Sequence, residues 1–240
     1  MQMPVYQIAK LNIKINPLYR ETEKRLEPFL SKSEEFDFDA TATETEIADY
    51  IEQNNYQFPA HLVEGSVILT KICRTVLTDY DGFFFHSSSL MLDGEAYLFT
   101  ALSGTGKSTH TALWRRHFGD RVVMINDDKP IIRRIDGRFW VCSTPWMGKS
   151  EIGTNIDVPV RAVYVLRRSE TNSAVRVSTA KVFKQLLEAT LVPGEPENMS
   201  KLLELFDGLF TQVPLFLLSC NTDEDAAVTA YNAANKEKIQ

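Results

Sequence analysis

The chain has 240 residues, of which 44% are hydrophobic and 24% charged, a composition that excludes disordered and fibrous proteins. Its 26 Lys and Arg against 32 Asp and Glu give a net charge of −6, which excludes a general binding surface for nucleic acid or an anionic membrane. No apolar run reaches the roughly 20 residues of a membrane span, no signal-peptide pattern opens the chain, and the three cysteines lie far apart, so we expect a cytoplasmic protein with buried free thiols.

The first third of the chain contains two predicted strands and one predicted helix. Apolar and polar side chains alternate over residues 6–15, which predicts a half-buried strand, and a second strand is predicted at Phe36–Phe38. Residues 20–52 carry eleven Asp or Glu against four Lys or Arg. We interpret this run as a solvated face, with a docking surface for a basic partner as the alternative. Apolar residues at helical spacing over 62–79 predict a helix under the sheet.

The middle of the chain predicts a hairpin followed by a loop and a helix. The apolar runs 82–92 and 95–101 are joined by Asp93 and Gly94, a pair that favours a tight hairpin turn. Residues 107–118 suit a helix. The rest of the chain predicts a strand, a hairpin, a strand, two helices, a strand and a helix, at 122–127, 131–142, 160–168, 179–191, 198–211, 213–220 and 223–236.

This order of elements indicates an α/β (α+β) fold with a mixed sheet. Several hairpins interrupt the regular alternation of strand and helix that a parallel doubly wound sheet requires. No change in composition marks a linker. We expect residues 81–240 to form the core and residues 1–80 to form an N-terminal extension or small lobe packed on it, in one compact unit.

Residues 100–109, TALSGTGKST, match a phosphate-binding loop placed between a predicted strand and a predicted helix. In such a loop the glycines turn successive backbone N–H groups toward phosphate oxygens, at the positive end of a helix. Lys107 would reach the β- and γ-phosphates of a nucleotide, and the Ser108 hydroxyl would bind Mg²⁺. The alternative is a glycine-rich turn with an exposed lysine. The predicted phosphate-binding residues are Ser103, Gly104, Thr105, Gly106, Lys107, Ser108 and Thr109.

One position of the loop departs from the general pattern G-x-x-x-x-G-K-[ST]. The chain has Ala101 where the pattern has its first glycine. An alanine is tolerable there if its φ angle is negative, because a marked steric cost arises at positive φ. Gly104 and Gly106 lie where a phosphate must approach the backbone, so the altered residue is outside the predicted anion cradle.

A pair of acidic residues, Asp127 and Asp128, follows an apolar strand and comes twenty residues after Lys107. Paired carboxylates at a strand end beside a phosphate loop suit Mg²⁺ ligation and the abstraction of a proton from a hydroxyl. One carboxylate can hold the metal while its neighbour acts as the base, and the sequence leaves open which does which. A turn capped by aspartate is the alternative.

A second Gly-Lys-Ser, at residues 148–150, lies in the stretch STPWMGKSEIG. It lacks the context of a phosphate loop, because Pro145 and Trp146 precede it and Gly153 interrupts any following helix. Lys149 is a candidate to neutralise charge on the transferred group or to contact the acceptor, with an ordinary surface loop as the alternative. Trp146 is either a packing residue or a wall of the acceptor site.

LSGTGKS at residues 102–108 together with NDD at 126–128 resembles the superfamily of phosphoenolpyruvate carboxykinases and HPr kinases/phosphorylases. Carboxykinases carry a loop of the form G-L-S-G-T-G-K-T and a following Asp-Asp. HPr kinases place a histidine ahead of the loop, and His86 in FFFHSSSLML has that relative position, with Ser87 where the family has glycine. A packed histidine is the alternative for His86. The short chain is most similar to the small HPr kinase-related branch.

The resemblance implies ATP and Mg²⁺ binding and phosphoryl transfer to a hydroxyl, often that of a serine. It implies a metal site at Ser108, Asp127 and Asp128. The expected partners are ATP and a hydroxyl-bearing peptide, protein or small molecule, without nucleic acid or membrane, and a homo-oligomer stays open. The alternatives are a nucleotide-binding regulatory module that turns nothing over, and a carboxykinase-like enzyme. The predicted catalytic residues are His86, Lys107, Asp127, Asp128 and Lys149.

Overall fold

The computed structural model describes residues 4–236. The strands within that range are β1 (Val5–Ile8), β2 (Leu11–Lys14), β3 (Phe38–Asp39), β4 (Gly82–Phe84), β5 (Ser88–Leu92), β6 (Glu95–Thr100), β7 (Val122–Asn126), β8 (Ile131–Ile135), β9 (Arg138–Cys142), β10 (Asp157–Arg168), β11 (Ser173–Arg176) and β12 (Leu215–Cys220). The α-helices are α1 (Arg20–Leu26), α2 (Glu44–Asn54), α3 (Ala60–Asp79), α4 (Lys107–Phe118), α5 (Thr179–Glu188), α6 (Pro196–Gln212) and α7 (Asp225–Asn235). Among these described helices, none is both long enough and apolar enough to cross a membrane.

The N-terminal part opens with a hairpin rather than the single strand predicted over residues 6–15. Strands β1 and β2 pair antiparallel through Ala9 and Lys10, whose φ angles are 54° and 57°. The prediction was wrong because two consecutive residues with positive φ reverse the chain here without the glycine that usually marks such a turn. The predicted strand at Phe36–Phe38 is displaced to β3, which pairs parallel with β2.

Two helices, α1 and α2, lie in the acid-rich stretch, for which the sequence predicted a solvated face and one strand but no helix. Helix α2 begins with a capping box, in which the Thr43 hydroxyl accepts a hydrogen bond from the Glu46 backbone N–H and the Glu46 carboxylate accepts from the Thr43 backbone N–H. This Thr-x-x-Glu pattern is a helix-start signal that the sequence carried. Ile47 is buried on the inner side of α2, while most of the acidic side chains face solvent.

A nine-stranded mixed sheet forms the centre of the molecule, which confirms the mixed-sheet prediction. Its order is β4-β8-β9-β10-β6-β5-β7, and β12 also pairs with β10 and carries β11. Strand β10 runs parallel to both β6 and β12, whereas the other pairs are antiparallel. The β5–β6 and β8–β9 turns are the predicted Asp-Gly hairpins, with positive φ at Asp93, Gly94, Asp136 and Gly137.

The predicted continuous run over residues 82–92 is wrong, because the chain changes strand partners in its middle. Strand β4 pairs with β8, while β5 pairs with β6 and β7. The connection between them is held by backbone hydrogen bonds from Phe85 N–H to the Pro130 carbonyl and from His86 N–H to the Ala189 carbonyl. A continuous pattern of strand-forming residues cannot show such a switch, because it depends on partners far along the chain.

Three buried clusters fill the space around the sheet. One face packs α4 and α7 against Tyr97, Phe99 and Tyr164, and the opposite face packs α5 and α6 against the alternate residues of the same strands. The third cluster lies between the N-terminal elements and the β8–β9 hairpin, where Ile131 and Cys142 join it. The first residue of β5 therefore lies at the same edge of the sheet as the last residues of β6 and β7.

Candidate functional site

The loop between β6 and α4 lies between a strand and a helix, which is the context that the sequence predicted. Strand β6 ends at Thr100 and α4 begins at Lys107, so residues 101–106 form the connection. Gly104 and Gly106 have φ angles of 76° and 118°, a region that side chains with a Cβ rarely adopt, whereas the φ angle of Ala101 is negative. The unpaired N–H groups at the start of α4 provide a positive end for an anion.

An arginine from another strand holds this loop. The guanidinium of Arg168, at the end of β10, donates hydrogen bonds to the carbonyl oxygens of Gly104 at 2.5 Å and Thr105 at 3.3 Å. Arg168 therefore binds the loop through two of its carbonyl groups, and the Thr105 N–H donates within the loop to the Leu102 carbonyl at 3.1 Å. No local pattern in the sequence pointed to this residue, because Arg168 lies more than sixty positions after the loop.

Lys107 is the first residue of α4 and is half-buried. Its Nζ donates to the Ala101 carbonyl at 3.3 Å, so the ammonium lies back across the loop. Burial lowers the pKa of Lys107, and the nearby carboxylates of Asp128 and Asp127 oppose that shift. These interactions show that the loop lysine and the acid pair share one electrostatic environment.

The acid pair is positioned by the asparagine that precedes it. Asn126, the last residue of β7, accepts hydrogen bonds at its Oδ1 from the backbone N–H groups of Asp128 at 2.9 Å and Lys129 at 2.7 Å. Its Nδ2 donates to the Thr144 carbonyl at 2.9 Å. The side chain of Asn126 thus forms the turn and ties it to the chain after β9, which fixes where both carboxylates lie.

Asp127 accepts hydrogen bonds from two hydroxyl groups. Ser88 Oγ donates to Oδ1 at 2.5 Å, and Ser150 Oγ donates to Oδ2 at 2.6 Å. Asp127 is 8% exposed, Ser88 is fully buried and also contacts the Thr111 hydroxyl at 2.9 Å, and Ser150 is exposed. One hydroxyl partner of this carboxylate therefore belongs to the interior, and the other lies at the surface of the site.

Asp128 contacts two nitrogen groups instead. His86 Nε2 lies 2.9 Å from Oδ1, and Lys129 Nζ lies 2.6 Å from Oδ2. Burial would raise the pKa of Asp128, but the hydrogen bonds from His86 and Lys129 lower it to about 2. Asp128 is therefore a carboxylate that stays ionised at any physiological pH, and His86 is its direct partner although it does not lie on a strand.

The second Gly-Lys-Ser lies against the acid pair as a turn of 3₁₀ helix, Gly148–Ser150. Gly148 has a φ of 71°, and a Cβ added there would lie 2.9 Å from the Asp128 Cβ, so glycine permits the close approach. Lys149 is exposed and faces the same cavity as the acid pair. Trp146, just before the turn, is 7% exposed and both packs in the N-terminal cluster and lines the cavity.

One cavity of about 1350 Å³ connects these groups. Small-molecule pockets usually measure about 300–1,000 Å³, so this cavity is larger than one small ligand requires. The lining also includes aromatic side chains from α2 and the segment that joins it to α3: Tyr50 and Tyr56 are stacked with centroids 5.7 Å apart, and Phe58 is tilted against Tyr56 at 5.2 Å. The predicted residues that line the cavity are His86, Ser103, Lys107, Ser108, Asp127, Asp128 and Lys149.

The remaining predicted residues, Gly104, Thr105, Gly106 and Thr109, form the loop and the first turn of α4. The sequence missed four residues of the site: Ser88, Lys129, Ser150 and Arg168. Two of these could have been found from the sequence, because Lys129 directly follows the acid pair and Ser150 is the last residue of the second Gly-Lys-Ser.

The donor set suits Mg²⁺ shared with phosphate rather than a metal held by protein alone. Within residues 4–236, no group of three or more His, Cys, Asp and Glu side chains is arranged to hold a metal ion. Mg²⁺ is commonly bound by one or two carboxylates together with substrate phosphates. Ser108, Asp127 and Asp128 on one cavity fit that second mode.

No protein-family model matches the chain, and no curated protein matches it. Among solved structures, the chain is similar to an HPr(Ser) kinase/phosphatase from Coxiella burnetii, with a TM-score of 0.39 and 11% sequence identity. The match covers 65% of this chain and 90% of that one. At this TM-score and identity, the likeness establishes neither the family nor the activity of the chain.

Proposed function

We propose that the protein is an ATP- and Mg²⁺-dependent kinase, similar to HPr kinases, that transfers a phosphoryl group to a hydroxyl of a peptide, protein or small molecule. The observation that carries the proposal is the convergence of Lys107, Ser108 and the acid pair Asp127–Asp128 on one cavity. The loop by itself supports nucleotide binding, whereas the acid pair adds a metal ligand and a base for an acceptor.

The two carboxylates differ in their partners, and we assign them different roles. Asp128 is kept ionised by His86 and Lys129, so it supplies the anionic ligand for Mg²⁺, and Ser108 supplies a neutral hydroxyl oxygen. Asp127 accepts from hydroxyl groups, which is the contact that a base makes with an acceptor before it takes the proton. His86 acts as a positioning residue through its hydrogen bond to Asp128.

Three cationic side chains of the site, Lys107, Arg168 and Lys149, have separate roles in the proposal. Lys107 and the amide groups of residues 104–108 bind the nucleotide phosphates, and Arg168 fixes the loop that carries them. Lys149, which lines the same cavity, neutralises charge on the transferred group. When bound, ATP supplies the phosphoryl group and Mg²⁺ neutralises its oxygens.

The first test measures Mg-ATP binding by calorimetry and ADP release by a coupled assay. Lys107→Ala should weaken ATP binding by about 10- to 100-fold, because a charge-assisted contact contributes about 1.5–3 kcal/mol. Asp127→Asn should leave ATP binding within about twofold and slow transfer by on the order of 100-fold, the size of a general-base contribution. Lys184→Ala, at a side chain 86% exposed on α5, is the matched lysine control and should behave as the unmodified protein.

Three outcomes would contradict the kinase proposal. Wild-type ATP binding in Lys107→Ala would remove the phosphate site. Tight ATP binding without release of ADP, in the presence of candidate acceptors, would favour the regulatory module. Nucleotide formed from ADP and oxaloacetate would favour the carboxykinase-like enzyme.

A further inference from the structure

Asp127 contacts an exposed hydroxyl group that belongs to this protein and not to an external acceptor, the hydroxyl of Ser150. Ser150 Oγ donates to Asp127 Oδ2 at 2.6 Å. An acceptor hydroxyl must make this same contact before its proton can pass to a base. Ser150 therefore occupies the place that the proposed function gives to an acceptor, and the inference below rests on that proposed function.

The turn that carries Ser150 is fastened to β7 on both sides. Upstream, Asn126 Nδ2 donates to the Thr144 carbonyl at 2.9 Å, and the Ser143 hydroxyl donates to the Ile125 carbonyl at 2.7 Å. Downstream, Asn126 forms a β-bridge with Gly153. The contact between Ser150 and Asp127 is thus built into the fold by anchors on both sides.

The phosphate-binding groups lie on the same cavity as this hydroxyl. Ser150, Lys107 and Ser108 all line it, and the Lys107 ammonium is close enough to Asp127 for the carboxylate to act on its charge. Ser150 is exposed to the cavity, whereas Ser88, the other hydroxyl on Asp127, is fully buried. Of the two serines that contact Asp127, Ser150 is the one that a nucleotide in the cavity can reach.

We infer that Ser150 is an intramolecular phosphorylation site, modified by the protein's own kinase centre with a nucleoside triphosphate as donor. In the transfer, a bond forms between Ser150 Oγ and the γ-phosphorus, and the bond from that phosphorus to the β,γ-bridging oxygen breaks. The Ser150 proton passes to Asp127, and the nucleoside diphosphate leaves with the bonding electron pair. The product is a phosphoserine beside Asp127 and Asp128.

A phosphoserine in that position changes the site. It adds about −1.5 to −2 charges next to two carboxylates, and like charges at such distances repel. Lys149, its neighbour in the turn, is an exposed cation that can pair with it, whereas Lys129 already contacts Asp128. Phosphorylation should therefore move the turn away from Asp127 and free that carboxylate for an external acceptor.

The test follows the mass of the protein after incubation with Mg-ATP, with peptide mapping of the modified residue. One phosphoryl group is expected on Ser150, lost completely in Ser150→Ala and restored, on threonine, in Ser150→Thr. Asp127→Asn should slow the modification by on the order of 100-fold. Ser66→Ala is the matched control, because Ser66 lines the same cavity but bonds to the Leu62 carbonyl of its own helix, and it should leave the modification unchanged.

Because the transfer is intramolecular, its first-order rate constant should not depend on protein concentration. A rate that rises in proportion to protein concentration would overturn the intramolecular step. An unmodified Ser150 in a protein that hydrolyses ATP would overturn this inference and leave the kinase proposal standing. A protein that neither binds ATP nor acquires phosphate would overturn both.

Discussion

Adjacent residues of one type acquire different chemistry here through their hydrogen-bond partners. Asp127 contacts the hydroxyls of Ser88 and Ser150, and Asp128 contacts the nitrogen groups of His86 and Lys129. The sequence presents the two carboxylates as equivalent, so their roles could not be assigned from it. Their hydrogen-bond partners distinguish the two carboxylates, because a cation stabilises the charged form of a carboxylate whereas a hydroxyl also offers a proton for transfer.

A second residue, the buried His110 of α4, predicts that the free energy of unfolding falls in acid. His110 is 2% exposed and accepts a hydrogen bond from Trp114 Nε1 at 3.0 Å, and burial lowers its pKa from 6.5 to about 4. In the unfolded chain the residue takes up a proton near pH 6.5, whereas in the folded chain it resists until about pH 4. The protein should therefore lose stability on this account as the pH falls between those values.

Replacing His110 by glutamine, which keeps an acceptor for Trp114 and does not titrate, should remove this loss. The expected difference in the pH dependence of the free energy of unfolding is on the order of 3 kcal/mol between pH 7 and pH 4. Urea unfolding at several pH values measures it. Parallel pH profiles for the two proteins would contradict the prediction.

Among the secondary-structure elements, the candidate site is formed by three connecting segments that lie close together, and not by one strand or helix. The loop before α4, the turn after β7 and the turn after β9 each come from a different part of the chain. They meet because β5 pairs with β6 on one side and β7 on the other, which brings the ends of β6 and β7 to the same edge. The turn after β9 is then held to β7 by Asn126.

The close contact between that turn and the acid pair yields a paired prediction. Gly148 and Gly137 have similar φ angles, 71° and 76°, but an added Cβ would lie 2.9 Å from the Asp128 Cβ at the first and would meet nothing within 4 Å at the second. Both changes to alanine carry the strain of a left-handed backbone, and overpacking should cost Gly148→Ala about 1–3 kcal/mol more.

Urea unfolding compares the stabilities, and ADP release compares the activities. Gly148→Ala should also slow turnover, because the displaced contact includes Asp128, while Gly137→Ala should keep the turnover of the unmodified protein. Equal effects of the two changes on both stability and turnover would show that the contact with Asp128 does not matter.

For the whole molecule, the N-terminal part and the sheet share buried surface. The cluster built from β1, β2 and α3 includes Ile131, Cys142 and Trp146, and Arg133 Nη1 donates across to the Ala9 carbonyl at 2.6 Å. We propose that residues 1–80, although distinct as a lobe, are not independent of the core. The aromatic residues of α2 and of the segment after it line the same cavity as the loop before α4.

This proposal predicts one cooperative unfolding transition for the whole chain. A variant that keeps only Trp114 reports on the α4 side of the sheet, and one that keeps only Trp146 reports on the N-terminal cluster. In each variant, tryptophan fluorescence and far-UV circular dichroism should give the same urea midpoint, as expected for a two-state domain. A lower midpoint from Trp146 fluorescence than from circular dichroism would show that the lobe unfolds separately.

The sequence alone accounts for the order of strands and helices that indicates a mixed sheet, for the Asp-Gly hairpins and for the glycines of the loop before α4. These features depend on residues within a few positions of one another, such as the positive φ angles at Gly104 and Gly106 or the periodicity of α3. Three contacts depend on the tertiary structure: His86 with Asp128, Arg168 with the Gly104 carbonyl, and Ser150 with Asp127. Those contacts join residues that the order of the strands brings together from distant parts of the chain, and such distance leaves no local pattern of side chains or backbone angles for a sequence to show.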